Sequence, residues 1–204
     1  MKYKSKKISK LVRGVGVLGE GKYQRLYQSF GKVTKEYKHW ADMLKRCYSE
    51  KEQERYPRYR GCTLSENFKN FQYFAEWCNG QIGFGNMGWQ LDKDVLAKGN
   101  KIYSEQTCSF LPREINTLFT SRAKLRGSCP IGVSFHESAR KYQANFRENG
   151  QLRYLGLHQT QEEAFSVYKE AKENYVKQVA LRYKDLIRED VYLALLNWTV
   201  DIDD

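Results

Sequence analysis

Between Ile131 and Tyr183 the hydrophobic period of the chain changes once, and that change narrows what this stretch can become. Ile131, Val133 and Phe135 alternate with Gly132, Ser134 and His136, and Tyr142, Ala144 and Phe146 alternate with Lys141, Gln143, Asn145 and Arg147. Leu152 to Leu157 supplies a third run. Strict alternation puts the apolar side chains of a strand on one face. The second and third runs are joined by Glu148-Asn149-Gly150, and Asn-Gly is the pair that best tolerates the positive φ of a tight hairpin turn. At Thr160-x-x-Glu163 the pattern becomes helical, because these residues form a capping box that satisfies free N–H groups at a helix start. Ala164, Tyr168, Ala171, Tyr175 and Val179 then form one stripe running to about Tyr183. A sheet with one apolar face and a helix with one apolar stripe bury those surfaces against each other.

The opposite face of that sheet is polar, and its surroundings are basic. The chain carries a formal net charge of +11, unevenly distributed. Residues 1–30 hold eight Lys or Arg against Glu20 alone, and residues 122–158 hold seven against Glu137 and Glu148. The last twenty residues hold six acids against Arg188. Positive charge concentrated in two places implies a polyanionic partner, nucleic acid first. The lysine-rich start, including Lys4, Lys6 and Lys7, suits an arm that tracks phosphates or a minor groove. The acidic tail, with Val191, Leu193, Ala194, Leu195, Leu196 and Trp198, is a short apolar helix that is a poor DNA surface. It suits a cap on the second domain, a self-association surface or a contact with a host protein.

Other classes are disfavoured. Gly14-Val15-Gly16 lacks the following Lys-Ser/Thr of a phosphate loop. The five cysteines are odd in number with no C-x-x-C pair, which predicts free thiols in a reducing compartment and no zinc knuckle. No apolar run is long enough for a membrane span.

In the first half, Tyr37, Trp40, Met43, Leu44, Cys47 and Tyr48 predict an amphipathic helix from Lys35 to Tyr48, with His39 on its flank as a packing or surface residue. Residues 51–60 read as a charged loop. Phe68, Phe71, Phe74, Ala75 and Cys78 predict a second helix from Ser65 to Cys78. A glycine-rich loop then leads to Trp89-Gln90-Leu91-Asp92, a short strand, followed by a turn at Lys98-Gly99-Asn100-Lys101. Cys108 to Leu111 is a second strand, and Pro112 suits the first turn of a helix carrying Ile115, Asn116, Leu118 and Phe119.

Leu91-Asp92-Lys93-Asp94, Asn100 and Asn116 resemble the HNH nuclease motif, a ββα unit around one divalent metal. The resemblance implies Asp92 and Asn116 as metal ligands, Asn100 as the middle asparagine and Lys93 at the general-base position, where the family keeps a histidine. The departure is chemical: a lysine side chain in water titrates near about 10.4, so at neutral pH it is a cation that cannot accept a proton. A cation there also opposes a metal ion. The three histidines, His39, His136 and His158, all lie outside the motif.

Residues 126–182 resemble the AP-two/ERF DNA-binding domain, through Ile131-Gly132-Val133, the run from Lys141 to Arg147, and Tyr154-Leu155-Gly156-Leu157-His158-Gln159-Thr160-Gln161-Glu162-Glu163-Ala164. That resemblance implies a sheet face entering the major groove with Ser134, His136, Lys141, Gln143, Asn145, Arg147 and Tyr154; Arg153 adds a cation on the third strand. Ser134, His136, Leu152 and Tyr154 depart from the family's usual arginines and tryptophan, so its target sequence is not carried over. His158 takes a position where the family packs a Phe. The whole chain resembles phage-borne HNH homing-endonuclease homologues with a fused AP-two domain.

The expectation is therefore an α+β protein: a basic arm and lead-in at 1–30, an HNH-like ββα module with flanking helices at 31–121, a three-stranded antiparallel sheet packed on one helix at 122–184, and an acidic helix or tail at 185–204. The expected function is double-stranded DNA binding on a degenerate nuclease scaffold, with no cofactor required. The alternatives are an active endonuclease or nickase using Mg²⁺ or Mn²⁺ and a phage protein acting on a host factor. The expected location is the cytoplasm, the host's if phage-encoded, with no membrane partner.

Overall fold

A computed structural model describes residues 11–28, 31–119 and 128–204, and all structural statements concern these. Helices and strands are mixed, and by internal contacts the chain divides into two units, Met1–Pro112 and Arg113–Asp204. No described helix is long and apolar enough to cross a membrane. Lys4, Lys6 and Lys7 lie outside the described residues.

The first unit is built on α1 (Lys35–Tyr48), which begins where Thr34 accepts the Tyr37 N–H and donates its own hydroxyl to the Gln24 carbonyl. Its stripe buries Trp40, Met43, Leu44 and Cys47. The Trp40 indole N–H, unreachable by water, donates to the Phe68 carbonyl at 2.8 Å. Residues 51–60 are not an open loop: α2 (Glu50–Arg55) and a 3₁₀ turn at Pro57–Tyr59 occupy most of them. Six charged or amide residues in a row hid a helix that buries no side chain.

The predicted helix from Ser65 also begins later. Ser65 Oγ accepts the Phe68 N–H and supports a 3₁₀ turn at Asn67–Lys69. Asn70 then caps α3 (Phe71–Asn79) by accepting from Gln72 and Tyr73. Asn at a cap satisfies two otherwise orphaned donors, a stronger start signal than the aromatic spacing upstream of it.

Two small sheets complete this unit. β1 (Thr63–Leu64) pairs in parallel with β3 (Ile102–Tyr103). β2 (Trp89–Asp92) pairs antiparallel with β4 (Ser109–Pro112), setting Leu91 opposite Phe110 and Asp92 opposite Ser109. The second strand thus starts one residue later than expected. Pro112 ends it opposite Trp89, and the helix begins at the next residue. His39 packs edge-on against Phe84 and Phe110, and burial lowers its pKa. It is a packing residue.

The second unit opens with α4 (Arg113–Leu118), whose Glu114 takes a hydrogen bond from Tyr183 at 2.8 Å and pairs with Arg182. Its sheet is β5 (Val133–His136), β6 (Lys141–Glu148) and β7 (Gln151–His158), antiparallel and in that order, packed on α5 (Gln161–Tyr183). The predicted first strand is shorter than its alternation because Ile131 and Gly132 form a turn. The capping box at Thr160 and Glu163 is present in both directions.

The tail folds onto this unit: α6 (Glu189–Leu196) packs on α5, burying Val191 and Leu195. Val200 is clamped between the Lys169 ammonium on its carbonyl and the Glu173 carboxylate on its N–H. Trp198 stacks at a tilt on Phe119.

Candidate nucleic-acid interface

Register decides which side chains share a face. Val133 pairs with Ala144, and Phe146 lies on the same side of β6 as Ala144; all three are buried. The opposite face carries the pairs Ser134–Gln143, His136–Lys141, Asn145–Tyr154 and Arg147–Leu152. Between Gln143 and Asn145 the β6–β7 register slips by one residue, so that Gln143 faces Leu157. Gly156, at φ +110, lies in this bulge. Bulges of this kind bend a strand and increase its twist.

The polar face is therefore Ser134, His136, Lys141, Gln143, Asn145, Arg147 and Tyr154, with Leu152 and Leu157 between them and no acidic residue among them. Arg153 does not belong to it. It pairs with Phe146 on the opposite face, and its guanidinium is held by Glu148. Counting cations on the third strand missed this because a one-residue step reverses the face of a strand.

Several contacts pre-position the face. The Gln143 amide N–H donates to the Asn145 side-chain oxygen at 3.2 Å, fixing both amides. His136 Nδ1 accepts the Ala139 N–H and so holds the turn before β6. Arg147 donates to the Gly150 carbonyl at 2.9 Å. The hairpin itself is anchored to α5, because Tyr175 accepts the Asn149 N–H and donates to the Asn149 side chain. Tyr154 and Leu152 are mostly exposed, at 60% and 63%.

His158 lies on the helix-facing side, opposite Tyr142, with Nε2 buried and lacking a hydrogen-bond partner among the described residues. It is a packing residue.

The HNH-like residues divide between the units. Asp92, Lys93 and Asn100 are in the first; Asn116 is half-buried on α4 in the second. Asp92 ends β2 and its Oδ1 accepts the N–H groups of Asp94 and Val95, both at 2.8 Å. Burial raises the Asp92 pKa, and those two hydrogen bonds only partly oppose it. Ser109, facing Asp92 across the sheet, has a buried hydroxyl without a partner among the described residues. Lys93 is only 5% exposed. Its ammonium donates to Asp94 at 2.5 Å and to the Asn100 carbonyl, and lies 5.8 Å from the Tyr103 ring centroid. The Asn100 side chain donates to the Lys93 and Ile102 carbonyls and accepts the Ile102 N–H.

This arrangement does not suit a divalent cation. One Asp92 oxygen is committed to a backbone turn, and a fixed ammonium stands next in sequence. Hard divalent ions take several ionised oxygen donors, and a neighbouring cation opposes them. Among the described residues no group of three or more His, Cys, Asp or Glu is arranged to hold a metal ion.

No protein-family model, no curated protein and no solved structure matches this chain.

Proposed function

We propose that this chain is a double-stranded DNA-binding protein that reads sequence with the outer face of β5, β6 and β7, and that its ββα segment is a nuclease scaffold without a working catalytic centre. The observation that carries this reading is the acid-free face holding Gln143, Asn145, Arg147 and Lys141 in register. Three strands spaced about 4.8 Å apart span roughly 10 Å, which a major groove about 12 Å wide accommodates. Gln and Asn pair bidentately with adenine, and Arg pairs with guanine or phosphate. The amides are held by each other and the hairpin by Tyr175, so little ordering remains to be done on binding.

The endonuclease reading needs a base and a metal. Lys93 supplies neither, because its ammonium is used internally. Supercoiled plasmid incubated with Mg²⁺ or Mn²⁺ separates the two readings: the DNA-binding reading expects no nicking, and nicking lost in Asp92→Ala overturns the scaffold assignment. For binding, a preferred site is selected from a random duplex library. Gln143→Ala and Asn145→Ala should each lower preference for that site over random sequence by about 1–3 kcal/mol. Equal loss on both duplexes would overturn sequence reading by this face.

A further inference from the structure

Outside the sheet, positive charge also gathers among the described residues of the first unit, where arginines and tyrosines alternate in space. The 3₁₀ turn at Pro57–Tyr59 sets the Tyr56 and Tyr59 rings edge to face with centroids 6.1 Å apart. The Arg55 guanidinium lies 5.3 Å from the Tyr56 centroid. Arg58 lies 5.6 Å from Tyr56 and 5.1 Å from Tyr59, so it touches both rings. Arg46, on α1, lies 5.6 Å from the Tyr59 centroid and acts electrostatically on Tyr103, the ring that also carries Lys93. Cation and ring thus alternate without a gap from exposed Arg55 to buried Lys93.

Like charges gathered this way repel, and ring faces offset that by about 0.5–1 kcal/mol for each exposed contact. Acids offset this only at a distance. Glu52 gives its ion pair to Lys45 at 2.7 Å and acts on Arg55 and Arg46 through space without pairing with them. Glu50 and Glu54 share another stripe of that helix. Asp42 acts on Arg46, the buried end. Arg55 and Arg58 are exposed and make no ion pair with a described residue, and Lys101 adds an ammonium on the Arg58 carbonyl at 2.9 Å.

We propose that this arginine–tyrosine ladder is a phosphate-gripping surface for duplex DNA, contributed by the first unit and independent of base sequence. A guanidinium held against a ring keeps N–H groups for phosphate oxygens and loses little rotamer freedom on binding; Arg58 gives one N–H to the Tyr59 hydroxyl at 3.4 Å and keeps the others. Gln53, the amide of α2, is not free to read bases: it donates inward to the Cys47 carbonyl at 2.6 Å. The choice of duplex DNA as the polyanion rests on the function proposed above, but the two surfaces are testable apart.

The full chain is titrated against a fluorescein-labelled 30-base-pair duplex of mixed sequence by anisotropy over a series of KCl concentrations. Arg55→Gln with Arg58→Gln should weaken binding roughly tenfold or more at 0.1 M salt and flatten the log–log salt slope by about 1.8, two contacts at about 0.9 each. Arg55→Lys with Arg58→Lys should keep most of the slope. Tyr56→Leu should weaken binding with the charge unchanged. An unaltered slope in the double Gln variant, with the wild type binding, overturns the ladder and leaves the sheet reading standing. A flattened slope alongside undiminished sequence preference in Gln143→Ala and Asn145→Ala supports the ladder and overturns the sheet. A wild-type chain that binds no duplex overturns both.

Discussion

Lys93 and Asn100 hold each other across the loop that leaves β2: the lysine ammonium donates to the asparagine's main-chain carbonyl, and the asparagine amide donates to the lysine's main-chain carbonyl at 2.8 Å. The two residues that the HNH resemblance assigns to catalysis are thus each other's structural partners. An internal cation closes this loop.

Removing either side of this clasp should destabilise the protein. Lys93→Met leaves the Asn100 carbonyl unpaired while Asp94 turns to solvent, and should cost about 1–3 kcal/mol; Asn100→Ala should cost about 1–3 kcal/mol. Urea unfolding measures both, and the double mutant should show a coupling of at least about 0.5 kcal/mol. Lys93→His should also destabilise, because imidazole is too short to reproduce the ammonium's contacts. It should not confer plasmid nicking while Asp92 serves the turn.

Asp92→Asn tests whether the carboxylate charge has any use. Asn keeps an oxygen for the Asp94 and Val95 N–H groups, whereas Asp92→Ala loses it and should cost about 1–2 kcal/mol, as cap deletions do. The folded pKa of Asp92 is raised above its ordinary 3.8 by burial, so the folded state holds this proton more firmly than the unfolded chain. Stability from this group therefore falls as pH rises above 3.8 through the folded value. Asp92→Asn should match or exceed wild type at pH 7, with the difference shrinking toward acid. A loss of several kcal/mol at pH 7 would show that the charge is required.

Lys172 on α5 gives a signature of opposite sign. Burial lowers its pKa from 10.5 to about 8, with no compensating charge. Below pH 8 both states hold the proton and the folded state bears the desolvation cost. Between about 8 and 10.5 the unfolded chain binds more protons, so stability from this group rises with pH. Lys172→Met should therefore stabilise at pH 7, on the order of 1–3 kcal/mol, and that advantage should disappear by pH 10.5. Paired denaturation curves across that range check it, and a pH-independent difference would contradict it.

Gly132 governs how closely the sheet approaches α5. It sits at φ +79, and a Cβ there would come within 2.0 Å of the Tyr168 ring. Gly132→Ala should cost at least about 3 kcal/mol through overpacking and backbone strain together. Adding Tyr168→Leu should recover part of the loss, since it removes the clash and leaves the strain. A drop of under 1 kcal/mol in melting or urea experiments would contradict the close approach.

Much of the second unit was readable from its residues. Alternation, the Asn-Gly turn and the Thr160–Glu163 box each act over a few neighbours, so local chemistry specified β6, β7 and the start of α5 at the expected places. Where no periodicity existed, as in the charged stretch of α2, the helix was invisible. Where two signals competed, at Ser65 and Asn70, the stronger cap prevailed.

What the sequence determined by itself is the mixed α+β class, the antiparallel sheet on its helix and the identity of the polar residues along each strand. Tertiary structure alone decided three further matters. The pairing of Arg153 with Phe146 took that arginine off the polar face. The meeting of Arg46 on α1 with Tyr59 and Tyr103 joined the local Arg55–Tyr59 run to Lys93. Lys93 was turned inward to a carbonyl seven residues away. Each depends on which distant backbone lies alongside, and short-range chemistry holds no record of that.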